Sequence, residues 1–541
     1  MPIKPTAKPL AIRGLMLDLA RLVERHEFYF DLLPRLASWG FNTLWWHFVD
    51  DQGFMLRLDS HGELASPHAF TKAEMRRFIA AAGECGIDVV PEVETLGHGR
   101  YITRLPQYAH LADGDPTAFN AICPSHRDTL KLLGEIIAET AELFPSHYFH
   151  AGLDEADLSG CRRCARRAEG KPSWWLYGEH AKAVREIVAA AGKRMVMWGD
   201  HLEHDPPLLK DLPKDIIIAH WNYTEIRTAA IERSLAAGFE VIGSPSLMWY
   251  SGALHPNGRQ ITNVEEMTAT ARRLAPRGML GVVNTWWVPW RHMRDNALPM
   301  VAYTGHLLSG GSADRLAFFE KYLAAEHGLR SRKAAAALLA VHENMITGVF
   351  DADERHELLA LTFDNMGDLA AAIELAGEPA FAQRAAALKE AAEVLAAQRR
   401  AGASNAGAFA AIALSAEVAA GLMASGLDLR EAQRLYLLAR RQHVHGWEPA
   451  RSAETLGNAA DLLDGAARRS GQCRRAVEKE WDRTRYRDDE RKHTRDLDRP
   501  CPHDAILGRL ARGEKFQKAL ARSFRRAVRR FARGGDFPSG L

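Results

Sequence analysis

The chain has 541 residues, of which 47% are hydrophobic and 26% charged, and its net charge is +2. This is the composition of a globular protein, and so small a net charge gives no global field for nucleic acid or a membrane surface. Six cysteines do not make a disulfide framework in a chain of this length. The sequence shows neither an apolar leader nor an apolar run of about 18 residues, so we expect a cytoplasmic protein without a membrane span.

Residues 11 to 310 alternate between short apolar segments and longer segments with helical spacing. Near-continuous apolar strands indicate a parallel sheet that is buried on both faces. Eight strand–helix units predict an α/β fold, a (β/α)8 TIM barrel, over residues 1–312. A doubly wound open sheet is the alternative, but it would carry a glycine-rich phosphate loop, and the sequence has none. The predicted strands are 12–18, 41–48, 87–94, 147–152, 194–200, 215–223, 239–246 and 278–287.

The rest of the chain is predicted to be helical. Residues 313–470 are rich in alanine and leucine at helical spacing, which predicts an all-helical domain. Residues 471–541 predict a charged and then basic helical extension with one apolar face. We favour a terminal helix docked on the protein over a contact with an acidic partner, nucleic acid or a membrane surface, and a homodimer through the helical region stays open. The apolar residues of that face are Leu520, Phe524, Val528 and Phe531.

Polar and aromatic side chains gather at the carboxyl-terminal ends of the predicted strands, where a (β/α)8 barrel carries its active site. Two adjacent acids, Asp154 and Glu155, directly follow strand four. Neighbours in sequence do not suit the two facing carboxylates of an ordinary glycosidase, which lie roughly 5 Å or more apart across the substrate. They suit a division of labour, in which one acid protonates the leaving group and the other steers a group of the substrate. The residues at these strand ends are Asp18, His47, Asp50, Glu94, His98, Asp154, Glu155, Asp200, Trp221, Trp249 and Trp287.

Four motifs make the chain resemble glycoside hydrolase family 20, the β-N-acetylhexosaminidases. "RGLMLDLAR" resembles the R-G-x-x-L-D-x-x-R of strand one, and "FNTLWWHFVDDQGF" resembles the N-x-L-x-W-H-x-x-D-D-Q of strand two. "PEVETLGHG" resembles the P-E-x-x-x-x-G-H of strand three, and "HAGLDEA" resembles the H-x-G-x-D-E of strand four. The resemblance covers about residues 10 to 310. "ETLGH" and "MWGD" make it closer to the cytosolic, hexosaminidase D-like branch.

The resemblance implies a glycosidase of carbohydrate metabolism, a retaining exo-β-N-acetylhexosaminidase that releases terminal GlcNAc or GalNAc from a glycan. In such enzymes the substrate's own 2-acetamido oxygen is the nucleophile and forms an oxazolinium intermediate, which is called substrate-assisted catalysis. The resemblance implies no cofactor and no catalytic metal, and we expect no nucleic-acid partner.

The resemblance also implies four catalytic residues. Glu155 would be the general acid/base, and Asp154 would orient the acetamido group and stabilise its positive charge. His98 and Asp50 would form a relay that tunes the pKa of Glu155. His98 has a structural alternative, as the cap of a loop.

The implied substrate-binding residues are mostly aromatic. Arg13 would bind ring hydroxyls, with an ion pair at the barrel end as its alternative. Asp200 would take over hydroxyl recognition, because Pro289 stands where many family members have an acid. Tyr250 would donate a hydrogen bond to the acetamido oxygen. The aromatic walls would be Trp198, Trp221, Trp249 and Trp287, and each of them has the barrel core as its alternative.

Two other functions stay open at this point. One is a catalytically silent sugar-binding barrel, against which the presence of all four implied catalytic residues argues. The other is a metal-dependent barrel hydrolase, which has no sharp ligand spacing to support it. Its ligands would be Asp18, His47, His98 and Asp154.

A CxxC motif, Cys161 and Cys164, follows the acids. A zinc site needs two more ligands, which Cys123 and His126 of "CPSHRD" could supply, although their spacing is not a known signature. A redox role would need a thioredoxin-like context, which is absent. We therefore expect two loop thiols that pack the wall of the site, and no metal.

Overall fold

Eight parallel strands close into a barrel, as predicted. The computed structural model describes residues 7–115, 121–248, 254–345, 373–374, 377–400, 406–446, 449–486 and 504–540. Each strand pairs in parallel with the next along the chain, and the last pairs with the first. Every strand lies inside its predicted range. The strands are β1 Ile12–Asp18, β2 Thr43–His47, β3 Asp88–Glu92, β4 Tyr148–His150, β5 Arg194–Trp198, β6 Ile217–Trp221, β7 Glu240–Ser244 and β8 Met279–Trp286.

Helices cover the outside of the barrel after seven of the eight strands. After β5 the described chain has only two short helices, Asp200–His204 and Leu208–Asp211, in place of a long one. Side-chain caps fix two of the helix starts: Thr71 and Asn257 each form a capping box. The helices are α1 His26–Trp39, α2 Lys72–Glu84, α3 Thr129–Leu143, α4 Trp175–Ala190, α5 Thr228–Ala236, α6 Gly258–Leu274 and α7 Leu298–Leu308.

The two neighbouring tryptophans of β2 show how the strands divide their side chains. Trp45 points into the barrel, where its ring centroid lies 5.5 Å from that of Trp198 and 4.7 Å from that of His150. Trp46 points outward and packs at 4.5 Å against Phe78 of α2. Both are fully buried, because the strand separates two apolar layers.

The described chain after the barrel is helical, as predicted. The predicted boundary at residue 470 falls inside one continuous helix, so the domain limits stay a prediction. The last helix buries Phe524, Val528 and Phe531 against its neighbours, which agrees with the docked arrangement that we favoured. The helices are α8 Arg315–His327, α9 Arg332–Asn344, α10 Glu378–Arg400, α11 Ala406–Val444, α12 Pro449–Thr484 and α13 Arg509–Phe531.

A buried arginine joins this helical region to the barrel. Arg485, which is 0% exposed, pairs with Glu24 at 2.9 Å. It also donates hydrogen bonds to the backbone oxygens of Pro289 and His292, in the loop that follows β8. A buried ion pair with its remaining donors satisfied fixes geometry more than it adds stability. The helices therefore hold a loop at the carboxyl end of the barrel.

One described helix is long and apolar enough to cross a bilayer by length and composition alone. It is the Phe409–Val444 part of α11, and 67% of its most apolar window is buried inside the protein. A core helix of a large protein passes the same test.

Candidate active site

The loop after β4 holds the two adjacent acids in a strained backbone. Leu153 and Glu155 have φ values of 74° and 49°, and Gly152 has 65°. Non-glycine residues in this region cost roughly 1–3 kcal/mol each and gather at functional sites. A Cβ on Gly152 would lie 1.8 Å from Oε2 of Glu94, so only glycine fits there. The loop thus holds the acids in a fixed geometry at the carboxyl end of the barrel.

One histidine joins both acids to a buried carboxylate. His98 Nε2 lies 3.3 Å from Oε2 of Glu155 and 3.7 Å from Oδ2 of Asp154. Its Nδ1 lies 3.3 Å from Oδ1 of Asp50 and 3.2 Å from Oδ2 of Asp51. All four implied catalytic residues are therefore in one cluster, and His98 has carboxylates at both ring nitrogens.

The charges of this cluster keep His98 protonated. Burial alone would lower the pKa of His98, but the Asp50 and Asp154 carboxylates outweigh it and hold that pKa well above the usual value. Burial would raise the pKa of Asp50, and the positive charge of Arg21 reverses this and holds it well below its usual value. Arg21 lies 2.8 Å from Asp50 and is itself buried. Positively and negatively charged side chains thus alternate from Arg21 through Asp50 and His98 to the two acids.

The two adjacent acids have opposite pKa shifts. Burial is the main cause that raises the pKa of Asp154 to about 7, and the neighbouring carboxylates of Asp200 and Glu155 add to it against the attraction of His98. The hydrogen bond from His98 lowers the pKa of Glu155, whose side chain is 59% exposed. Below about pH 7, and above the lowered pKa of Glu155, the pair therefore shares one proton, which is held mainly by Asp154 in the ligand-free protein.

Asp200 supports the catalytic loop from β5. Its Oδ2 accepts a hydrogen bond from the backbone N–H of Glu155 at 3.1 Å, and its carboxylate is buried. The next residue, His201, accepts a hydrogen bond at Nε2 from the N–H of Ala156, also at 3.1 Å. The structure thus places Asp200 at the site as a support of the loop, and hydroxyl recognition by it stays a prediction.

Three aromatic side chains form one wall of the site. Trp221 and Tyr223 pack together with ring centroids 5.1 Å apart. The indole N–H of Trp287 donates a hydrogen bond to the Tyr223 hydroxyl at 2.6 Å, and the Trp287 ring lies 4.8 Å from that of His47. Trp221 is half-buried and Trp287 keeps only 8% of its surface exposed, so Trp221 is the open part of a wall that can contact a sugar.

The structure corrects two of the implied substrate contacts. Arg13 lies near the amino end of β1, where its side chain donates to the backbone oxygens of Leu10 and Gly40. It is thus at the opposite end of the barrel from the acids, and it makes none of the ion pairs seen among the described residues. Trp198 is 0% exposed, and its N–H donates to Glu92, so it lies beneath the site and not at its surface. Trp249 and Tyr250 lie outside the described residues.

Sequence reasoning missed three residues that the structure brings to the site. Arg21 is the second arginine of the strand-one motif, and it takes the place that the motif had suggested for Arg13. Glu94 was seen at a strand end only; its burial, followed by the charge of Asp154, raises its pKa well above the usual value. Tyr223 ends the predicted strand 215–223, and that position was the signal that could have found it.

The four ligands named for the metal-dependent hydrolase do not meet: among the described residues, no group of three or more close ligand atoms contains more than one of Asp18, His47, His98 and Asp154. His47 lies between two carboxylates, with Nε2 3.0 Å from Asp50 and Nδ1 3.2 Å from Glu92. Although burial alone would lower it, the charge of Glu92 and the hydrogen bond of Asp50 raise the pKa of His47 to about 10. Asp18 is engaged elsewhere, by the guanidinium of Arg21 and a backbone N–H.

The catalytic-domain model of glycosyl hydrolase family 20 matches residues 11–287. A beta-hexosaminidase of Vibrio furnissii is 28% identical over 275 residues, which are 44% of this chain and 43% of that protein. The beta-hexosaminidase subunit beta of Homo sapiens is 26% identical over 260 residues, which are 44% of this chain and 45% of that protein. The chain thus matches less than half the length of these curated relatives.

A solved structure has the same fold. The crystal structure of a beta-N-acetylhexosaminidase from Bacteroides fragilis aligns with a TM-score of 0.50 and 21% identity. The alignment covers 59% of this chain and 70% of that one.

Proposed function

The chain belongs to glycosyl hydrolase family 20, and from that premise we propose that it is a retaining exo-β-N-acetylhexosaminidase that works by substrate-assisted catalysis. Its substrate would be a glycan with a terminal β-linked GlcNAc or GalNAc. The observation that carries the proposal is the placement of Asp154 and Glu155 at one nitrogen of His98. Two acids at the same nitrogen are not a pair that faces across a sugar ring, so Asp154 is not placed as a nucleophile opposite Glu155.

In the first step the acetamido oxygen of the substrate attacks the anomeric carbon. Asp154 accepts the acetamido N–H and balances the positive charge of the oxazolinium ring. Glu155 gives its proton to the glycosidic oxygen, and the bond from that oxygen to the anomeric carbon breaks. A neutral alcohol leaves.

In the second step a water molecule opens the oxazolinium ring. Glu155, now a carboxylate, takes a proton from the water as it attacks the anomeric carbon, and the acetamido group is restored. Two inversions give net retention. The wall of Trp221 and Trp287 would hold the apolar surface of the sugar in place during both steps.

Substrate binding would also correct the protonation of the pair. In the free protein the proton is mainly on Asp154, whereas the reaction needs it on Glu155. A sugar that covers the exposed Glu155 side chain removes water from it and raises its pKa, while the acetamido N–H stabilises the charged form of Asp154. The proton then moves to the residue that uses it.

Rates of hydrolysis for aryl β-GlcNAc, β-GalNAc and β-glucoside test the proposal. We expect turnover of the N-acetyl substrates only, with inhibition by a thiazoline that mimics the oxazolinium ring. Equal turnover of the glucoside would contradict the mechanism. An activity on aryl β-GlcNAc that Glu155→Gln leaves unchanged would remove Glu155 as the acid.

A further inference from the structure

Three cysteines and one aspartate meet next to the loop that carries the two acids. One ligand atom of each residue lies within 4.8 Å of the others. The four residues are Asp113, Cys123, Cys161 and Cys164. We propose that these four side chains bind one structural Zn²⁺ ion, a site that departs from the sequence-based expectation of no metal.

The sulfur positions fit a tetrahedral zinc site. The Sγ of Cys123 lies 3.5 Å from that of Cys161 and 3.5 Å from that of Cys164. Zinc–sulfur bonds of about 2.3 Å in a tetrahedron place neighbouring sulfurs roughly 3.7 Å apart. A disulfide would bring two of them to about 2.05 Å. All three sulfurs lie within 4.8 Å of one another, which suits one shared ion better than a disulfide and a free thiol.

The fourth ligand is a buried carboxylate that lies close to the same three thiols. Asp113 is 0% exposed. Neither of its carboxylate oxygens accepts a hydrogen bond of strict geometry among the described residues, and the donors nearest to it are Cys164 itself and the backbone N–H groups of Gly160 and Cys161. A charged carboxylate buried beside three thiols is costly, and a cation between them would reduce that cost. Sequence reasoning had named His126 for this position, but the structure places that ring 4.9 Å from the ring of His110.

The backbone brings the ligands together from two loops. Ala112 and Ile122 form an antiparallel bridge, and the N–H of Cys123 donates to Leu111, so Asp113 and Cys123 become neighbours in the loop after β3. Cys161 precedes the short helix Arg162–Arg167, and Cys164 lies in its first turn. Two cysteines that are separated by two residues at the start of a helix can bind the same metal ion.

The surroundings suit a closed structural site with excess negative charge. Three thiolates and a carboxylate carry more negative charge than one Zn²⁺ ion neutralises, and Nη1 of Arg163 donates to the Sγ of Cys123 at 3.6 Å. Leu176 packs on Cys123 and Cys164, which are both buried. Four protein ligands leave no open position for a substrate. Thiolate ligands in a tetrahedron favour zinc over magnesium or calcium.

The ion would hold the loop of the catalytic acids. Cys161 follows Glu155 by only six residues. A Cβ on Gly160 would lie 2.9 Å from the backbone oxygen of Asp113, so the two loops are already in close contact there. The site therefore ties the end of the β4 loop to the β3 loop, without taking part in the chemistry. It does not rest on the proposed function.

Metal analysis of the full-length protein tests this site. After growth with added zinc and dialysis against metal-free buffer, we expect about one zinc per chain by mass spectrometry of metals. The double variant C161S/C164S should retain less than about a tenth of that. Cys85→Ser is the matched control, because Cys85 is another free cysteine, outside the cluster, and this variant should keep its zinc.

A second measurement covers the case in which the double variant fails to fold. Wild-type protein is stripped with a chelator and reloaded with Co²⁺, and tetrahedral thiolate ligation predicts strong visible absorption with a sulfur-to-cobalt band in the near ultraviolet. Added Zn²⁺ should abolish both. The proposal is overturned if wild-type protein has no zinc and gives no such spectrum. It is also overturned if C161S/C164S folds and keeps the zinc, or if intact mass shows a disulfide among these cysteines.

Discussion

The guanidinium of Arg21 lies 2.8 Å from the carboxylate of Asp50, at the start of the relay that leads to Glu155. The same guanidinium sits over the ring of Trp287, with 5.1 Å between its carbon and the ring centroid. Arg21 thus contacts both the relay and the aromatic wall. The hydrogen bond from His98 is the main cause that lowers the pKa of Glu155, and burial opposes it. The positive charge of Arg21 lowers that pKa further.

Arg21→Gln should lower kcat/KM by on the order of 100-fold, because the relay loses its one fixed positive charge. The fall in kcat/KM toward low pH should also begin at a higher pH, because the pKa of Glu155 rises when the nearby positive charge is removed. Arg21→Lys keeps the positive charge, so its kcat/KM should fall toward low pH in the same range as that of the wild type. Steady-state kinetics across pH measure both effects. A normal profile in Arg21→Gln would refute the role of Arg21.

Arg13→Ala is the matched control, because Arg13 lies near the amino end of β1 and Arg21 follows its carboxyl end. It should leave kcat/KM within about twofold, while the melting temperature falls, because two backbone oxygens lose their donor. A large loss of substrate affinity in Arg13→Ala would restore the contact that the structure rejects.

The shared proton predicts the pH dependence of kcat/KM. The active form of the pair has one proton, so activity should be highest between the lowered pKa of Glu155 and the pKa of about 7 of Asp154. Below this range both acids are protonated, and above it neither is. A profile of kcat/KM from pH 3 to 9 shows this, and an activity that stays flat well above pH 7 would contradict it.

Asp154→Asn should stabilise the protein at high pH while it abolishes most activity. The pKa of Asp154 is raised from 3.8 to about 7 in the folded state. The folded protein therefore holds this proton more tightly than the unfolded chain does. The resulting contribution to folding stability is complete below about pH 4 and is lost as pH rises from about 4 to 7, at about 1.4 kcal/mol per pKa unit. Asparagine avoids this loss, so the variant should unfold at higher urea than wild type at pH 8, with a smaller difference at pH 5.

Asp157→Asn serves as the control, because Asp157 is an exposed acid on the same loop. It should show no such pH-dependent difference. Equal destabilisation of Asp154→Asn at both pH values would refute the claim that the charged Asp154 carboxylate lowers the stability of the folded protein.

Tyr223→Phe should weaken substrate binding more than it slows the chemistry. The variant removes the acceptor of the Trp287 N–H at 2.6 Å, which leaves a buried donor unpaired and loosens the aromatic wall. We expect KM to rise by about tenfold, with a smaller change in kcat. Tyr148→Phe, at the far end of β4, should change neither. Unchanged constants in Tyr223→Phe would show that the hydrogen bond does not position Trp287.

The sequence sufficed for the barrel because each strand is an apolar segment between polar ones. It also placed Asp154, Glu155, His98 and Asp50 together, since strand ends meet at one side of a parallel barrel. Strand geometry alone could have shown that Arg13 does not reach the substrate. A rise of about 3.3 Å per residue puts Arg13 roughly 16 Å from the carboxyl end of β1, whereas Arg21 comes after that end.

Other features depend on contacts that no local pattern records. Alternation along a strand says that Trp198 points inward but not how deep it lies. Asp113 reaches the cysteines only because Ala112 pairs with Ile122 across a loop. The charged composition after residue 470 suggested a new segment, but exposed charges do not end a helix, and α12 continues through them.

Aryl β-glycosides with zero to three fluorines on the 2-acetamido methyl test the central claim most directly. Fluorine draws electron density from the acetamido oxygen, while the leaving group and the sugar ring stay the same. If that oxygen is the nucleophile and Asp154 only steers it, kcat/KM at pH 6 must fall steeply with each added fluorine. A rate that is independent of fluorine number would show that the nucleophile belongs to the protein or to water, and would contradict the mechanism.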